Sequence, residues 1–209
     1  MSTALPLSRR IAIAFTVSAL MLGGSPVAAA SKPPVPAPDQ APGDLRRSGS
    51  LLPLTELAVQ RILLADKVAA AKFGTDQPID DPARERQVLD QVTSLSDRMG
   101  LNPAAGLRFF RDQIEAGKVV QRGLYARWTT RPELRPAERS DLAGEVRPQL
   151  DTITTEVMEQ LKATTDTRGA SDCAVRLSGA VLSATRHRHL DRLHRDALDD
   201  ALGSVCTTP

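Results

Sequence analysis

From Leu51 onward the chain has one hydrophobic rhythm: apolar residues return every three to four positions, and no apolar–polar alternation bounded by turn signals replaces it. That period suits helices, because residues three and four apart share a helical face whereas strand faces alternate. Proline and glycine punctuate the rhythm where helices use them. Asp81-Pro82 and Asn102-Pro103 each set a capping side chain before a proline, whose missing N–H is one that a helix start leaves unpaired anyway. Gly74 and Gly100 follow apolar runs, as left-handed terminators do. The expected fold is all-α, a single-domain bundle of about five main helices without internal repeats. The first helix is expected from about Thr55, as N-cap, to Phe73, and the second from Asp81-Pro82 to Met99. The third should run from Asn102-Pro103 to about Trp128. The fourth should run from about Asp141 to Thr165, with Pro148 pushing its true start later. The fifth should run from Ser171 or Asp172 to about Leu202.

The first fifty of the 209 residues do not share this pattern. Arg9 and Arg10 form a positive start, Ile11 to Leu22 is apolar apart from Thr16 and Ser18, and Ala28-Ala29-Ala30 offers small residues for cleavage. Together these predict a signal peptide over residues 1–30, cleaved near Ala30, and a secreted or periplasmic product. The apolar run is short for a membrane span, so no membrane association is expected after cleavage. The paired arginines leave a twin-arginine route open beside the general one. Residues 31–50, beginning Ser31-Lys32-Pro33-Pro34-Val35-Pro36-Ala37-Pro38, read as a proline-rich linker. The helical domain is then residues 51–209.

Charge excludes one class of partner. The formal charge of the whole chain is +2, and the signal carries two arginines and no acid, so the exported part is neutral. A nucleic-acid binder needs a basic excess and benefits from aromatic platforms, yet aromatic residues make up only 3% of the chain. Two cysteines, Cys173 and Cys206, lie 33 residues apart near the C-terminus. In an exported protein such a pair is most simply a disulfide; a redox or metal pair is the alternative, although two ligands are few for a metal.

Charged side chains inside apolar stripes say most about function. On the first helix Leu57, Leu64, Ala65 and Val68 mark the inner face, and Glu56, Gln60, Asp66 and Lys67 the wet one; Arg61 and Lys72 fall within the apolar arc. They are eleven residues apart, three turns or about 16 Å along the axis. On the second helix Arg84 and Glu85 flank the face of Val88, Val92, Leu95 and Met99, while Arg86 points away. On the third, Gln121 lies in the stripe of Phe110, Ile114, Leu124 and Trp128, one turn beyond Gly117. On the fourth, Arg147 borders the stripe of Leu150, Ile153, Val157 and Leu161. Each charge alone can snorkel or pair with a buried acid. As a set they do not balance, because Glu85 is the lone inward acid against four cations. A buried positive excess asks for an anionic ligand, and a small dicarboxylate held inside a helical bundle fits.

These residues resemble those of the all-helical chorismate mutases, and most closely their secreted gamma subclass from actinobacteria. The resemblance covers about Leu57 to Cys206. It rests on Arg61-Ile62-Leu63-Leu64-Ala65-Asp66, Val68-Ala69-Ala70-Ala71-Lys72-Phe73, Pro78-Ile79-Asp80-Asp81-Pro82-Ala83-Arg84 and Phe110-Arg111-Asp112-Gln113-Ile114, with the cysteine spacing and the Arg61–Lys72–Arg84 spacing of eleven and twelve. It implies a pericyclic rearrangement of chorismate to prephenate that needs no cofactor, metal or nucleophile. The enzyme would hold the substrate as a compact chair and stabilise charge on its ether oxygen. By the same resemblance Arg61, Arg84 and Arg147 clamp the two carboxylates, and Lys72 donates to the ether oxygen and one carboxylate. Gln121 donates to the ether oxygen from the other side, and Glu85 accepts from the ring hydroxyl. Aligning Arg147 requires one inserted residue in the preceding loop. Lys118, near Gln121 on the same helix, could supply an extra charge but is not counted among the site residues. Related secreted enzymes can carry glutamate at the position of Gln121 and a small hydroxyl residue at that of Gly117. The resemblance also implies a homodimer with each site inside one chain.

Other motifs carry less. His187, His189 and His194 lie among arginines and read as a solvated basic face rather than a metal site. Two readings compete with the enzyme: a non-catalytic secreted helical module that binds an anionic ligand or a partner, and a purely structural bundle. Neither needs Lys72 and Gln121 together.

Overall fold

Asp81 and Asn102 cap helices as their positions predict. The Asp81 carboxylate accepts from the Arg84 N–H at 3.0 Å, and the Asn102 side chain accepts from the Ala104 N–H at 2.9 Å. The structure, a computed structural model, describes residues 49–206. Among these residues seven α-helices occur: α1 (Leu52–Lys72), α2 (Pro82–Met99), α3 (Pro103–Thr130), α4 (Arg147–Ala163), α5 (Thr165–Gly169), α6 (Cys173–Arg188) and α7 (Arg192–Ala201). The predicted signal and almost all of the linker lie outside the described residues. No helix among those described is long and apolar enough to cross a membrane.

Several boundaries differ from expectation. Thr55 is not the N-cap of α1: the helix begins at Leu52 with Pro53 in its first turn, and the buried Thr55 hydroxyl donates to the Leu51 carbonyl at 2.9 Å. The expected start of the fourth helix at Asp141 is instead a π-helical turn, Leu142–Val146, in which the Val146 N–H reaches the Asp141 carbonyl at 3.0 Å. Pro148 then occupies the first turn of α4, where it costs no hydrogen bond. The expected fifth helix is two. His189 adopts the left-handed conformation (φ 51°) and ends α6, and Asp191 caps α7 by accepting from the His194 N–H at 3.0 Å.

α1 is the axis of the bundle. It packs against α3, α4, α6 and α7, while α3 also meets α2 and α7. A helix covered on so many sides must be apolar almost all round. Leu54, Ala58, Val59, Ile62 and Ala69 are fully buried, and the supposed wet positions Glu56, Gln60, Asp66 and Lys67 are only half exposed. Phe109 and Phe110 from α3 fill the centre with Val157 and Met158 from α4.

The C-terminal elements are fastened to this core in two ways. Cys173, at the start of α6, is bonded to Cys206, just beyond α7, with Cα atoms 5.7 Å apart. Closing a 33-residue loop in the unfolded chain contributes about 3–4 kcal/mol on the chain-entropy account. Cys173→Ser is accordingly expected to lower the melting temperature well below that of the native protein, and non-reducing mass spectrometry of the native protein should show no free thiol.

The second fastening corrects the histidine reading. His187 and His189 are exposed, but His194 is buried, with Nδ1 2.6 Å from Asp191 Oδ1 and Nε2 2.9 Å from Asp66 Oδ1. With a carboxylate at each nitrogen, the doubly protonated ring satisfies both. The Asp66 hydrogen bond, opposed by burial and aided by Asp191, raises His194 to about 9. Because the folded value lies above the unfolded one, this pair stabilises fully below about pH 6.5, and the stabilisation is lost as pH rises through about 9. With half-exposed carboxylates screening the interaction, it contributes on the order of 2 kcal/mol. Thermal melts of the native protein and His194→Gln should differ most at pH 6 and converge by pH 10.

Candidate active site

A cleft bounded by α1, α2, α3 and α4 holds most of the inward charges. It encloses about 740 Å³ including its open mouth, and its lining is mainly apolar, with Ala65, Val68, Ile79, Val88, Ile114 and Leu150 contributing. α1 supplies two cations, Arg61, whose side chain is partly buried, and Lys72, which is buried. Arg61 stacks on the Phe110 ring at 5.0 Å and donates from Nη1 to the Thr154 hydroxyl at 3.0 Å and the Leu150 carbonyl at 3.3 Å. Its Nε is buried without a partner. Burial, and then the neighbouring Arg84, push Arg61 down to about 10, so it stays cationic at neutral pH. Lys72 is buried and donates from Nζ to the Pro78 carbonyl at 2.8 Å. Burial lowers its pKa; Asp81 opposes that shift and Arg147 adds to it. Both cations therefore rest on neutral oxygens.

α2 and α4 contribute a more balanced wall. Arg84 Nη2 lies 2.7 Å from Asp151 Oδ1 on α4. Glu85 lies 2.8 Å from Lys118 Nζ, which also reaches Glu115 at 2.8 Å and Asp80 at 3.4 Å. Burial works against the Lys118 charge, but Glu115 and Glu85 outweigh it and hold the ammonium above its ordinary range. Glu85 is thus not the lone inward acid: Asp81 and Asp151 also line the cleft. Asp81 escaped notice because its carboxylate was accounted for as a cap. Asp151 lies next to Leu150, and only the packing of α2 against α4 brings Arg84 to it. Thr154 is absent from the sequence reading and Lys118 is set aside there, for local periodicity does not reveal which groups meet across helices.

From α3, Gln121 faces the cleft with its Nε2 donating back to the Gly117 carbonyl at 3.1 Å, while its Oε1 is buried with no partner. One amide proton is spent and one remains. Gly117 leaves room: an added Cβ would meet nothing nearer than Ala65 Cβ at 4.0 Å. Arg147 is not on the cleft wall. It is half-buried as the first residue of α4, where its charge reaches Lys72. The turn before it takes up one residue more than an α-turn would, which is how a π-turn accommodates an inserted residue. Lys67 pairs with Glu145 and ties that turn to α1.

Arg61, Lys72, Arg84, Glu85 and Gln121 are therefore brought to one cleft, and Arg147 is near enough for its charge to act on Lys72. Arg84 and Lys118 have carboxylate partners; the charge that remains for a ligand sits on Arg61 and Lys72, opposite an amide. This is the construction of an all-helical receptor for a small anion, with fixed donors in a water-poor cleft. The chorismate mutase type II family matches residues 53–122, the stretch that carries Arg61, Lys72, Arg84, Glu85 and Gln121. The secreted chorismate mutase of Mycolicibacterium smegmatis is 33% identical over 75% of this chain and 86% of its own length. That of Mycobacterium tuberculosis is 30% identical over 76% and 79%. Among solved structures, the chorismate mutase of Burkholderia phymatum superposes with a TM-score of 0.73 at 33% identity, over 78% of this chain and 99% of its own. The Burkholderia thailandensis enzyme gives 0.72 at 37% identity, over 75% and 99%. The chain belongs to the chorismate mutase family.

Proposed function

We propose that this chain is an exported chorismate mutase of the gamma subclass that converts chorismate to prephenate without a cofactor. The observation that carries this reading is the pair Arg61, partly buried, and Lys72, buried, both on α1 with only neutral hydrogen-bond partners and sharing one cleft with the free amide proton of Gln121. A Claisen rearrangement requires the substrate to be folded and its ether oxygen to be met by donors as the bond breaks. Arg61 and Arg84 hold the carboxylates, with Arg147 adding positive charge from outside the cleft lining. Arg84 turns from Asp151 to the ligand on binding. Lys72 and Gln121 approach the ether oxygen from α1 and α3, and Glu85, oriented by Lys118, accepts from the ring hydroxyl. Arg61, Lys72 and Gln121 line the cleft before substrate arrives, so apart from Arg84 little reorganisation accompanies the reaction.

Residues 1–30 act as the export signal, with cleavage near Ala30, and the secreted names of the mycobacterial relatives support that route. The exported enzyme is a homodimer with each site inside one chain. The test is to recover the protein from an exporting host and follow loss of chorismate absorbance with no cofactor added. The expected result is turnover to prephenate by a protein starting at Ser31 and sedimenting at twice its chain mass. Tight binding of chorismate without turnover would favour the anion-binding module instead.

A further inference from the structure

The segment between α1 and α2 makes three successive contacts. The Pro78 carbonyl accepts from Lys72 Nζ at 2.8 Å, Ile79 forms part of the cleft wall, and Asp80 reaches across to α3. There the two Asp80 oxygens lie 2.9 and 3.0 Å from Arg122 Nη2, and Oδ1 lies 3.4 Å from Lys118 Nζ. Lys118, through its 2.8 Å contact, also holds Glu85. Asp80 and Arg122 are half exposed or more, and ion pairs at such positions add little to folding. Their effect is positional. Pro78 lies two residues from Asp80, so a segment fastened at Asp80 has little freedom to carry the carbonyl away from Lys72.

We propose that Asp80 and Arg122, together with Lys118, are positioning residues for the rearrangement: they latch the segment between α1 and α2 to α3 and so hold the Pro78 carbonyl that orients the Lys72 ammonium. A lysine has three N–H donors on a freely rotating head. Spending one on a fixed carbonyl leaves the other two in defined directions for the ligand. Loosening the latch lets the ammonium wander, and small displacements of a positioned group cost rate steeply.

This inference rests on the reading of Lys72 as a donor to the substrate. The charged groups around Lys72 are Asp80 and Asp81 from the segment, Glu85 from α2 and Arg147 from α4, with Arg61, Arg84 and Lys118 in the same cleft. Asp80 supports the charged form of Lys72. The test compares Asp80→Asn and Arg122→Leu in the full exported protein, with kcat, KM, the alkaline limb of the pH–rate profile and amide exchange of residues 75–80 as readouts. Both variants should keep native helical content and lose about tenfold in kcat/KM at neutral pH, with faster exchange in the segment. Asp80→Asn should also move the alkaline limb to lower pH, whereas Arg122→Leu should not. A mere field effect would act oppositely in the two variants, since one loses a negative and the other a positive charge. Opposite changes in kcat/KM, or native kcat and KM in either variant, would overturn the latch. Lys72→Met serves as the control. If it keeps the native rate, the latch falls with it and the Lys72 reading is at fault; if it is inactive while Asp80→Asn is native, only the latch is wrong.

Discussion

Lys72→Ala is expected to lower kcat/KM by about a hundredfold or more while leaving the helical circular dichroism unchanged. The side chain is buried at the end of α1, beside a cleft with a mainly apolar lining, where a charge meets the substrate with little screening from water. Its hydrogen-bond partner is a backbone carbonyl, so truncation orphans no buried carboxylate and folding should survive. Arg61→Ala should cost a similar factor, for the same reason: its partners are the Thr154 hydroxyl and the Leu150 carbonyl. Arg84→Ala also frees Asp151 to repel an anionic substrate, and its loss should appear chiefly in KM. In the native enzyme the rate should fall on the alkaline side below the usual lysine range, because burial lowers Lys72 and the charged form is the active one. A Lys72→Ala enzyme with near-native kcat/KM would refute its catalytic role and leave an anion-binding bundle.

Gln121→Glu should turn a flat profile into a sloping one. The glutamine amide has no proton to lose, so the native rate should be level from mildly acidic to neutral pH. A glutamate can donate only when protonated, and it then has a single proton for which the Gly117 carbonyl, now satisfied by Nε2 at 3.1 Å, competes. The variant should therefore be slower than the native enzyme even in acid. It should fall further as pH rises, since an ionised carboxylate opposes the growing negative charge on the ether oxygen. At neutral pH the loss should approach that expected for removing one donor to a developing oxyanion, about a hundredfold. Profiles of kcat/KM that coincide for the two proteins would show that Gln121 does not meet the ether oxygen.

Local chemistry made much of this molecule legible. Asp81-Pro82, Asn102-Pro103 and Gly100 mark helix ends because capping is settled within three residues, and the structure places those ends where they fall in the sequence. Arg61, Lys72, Arg84 and Gln121 stood out because a charge or amide within an apolar arc is visible on a wheel without knowing what faces it. What escaped depends on contacts far along the chain. Thr55 looked like a cap because its hydroxyl is suited to one, but packing of Leu54 carries the helix back to Leu52. His194 looked solvated among arginines, and only the docking of α7 on α1 brings Asp66 to its ring. The break at His189 has no glycine or proline to announce it; a non-glycine residue in the left-handed region is held there by its surroundings.

The burial of α1 on nearly every side makes it a ruler. Arg61 and Lys72 are graduations on one rod, separated by the pitch of a helix that can neither slide nor turn without disturbing four neighbours. A single residue inserted between them would swing one out of the cleft by about 100°. Mutational drift in length is therefore closed to this stretch and open to the segment around residues 131–141, where the chain is exposed and the π-turn shows that an extra residue can be absorbed. The distance between charge and donor is written in the backbone, and a ligand of another length cannot be accommodated by moving side chains alone.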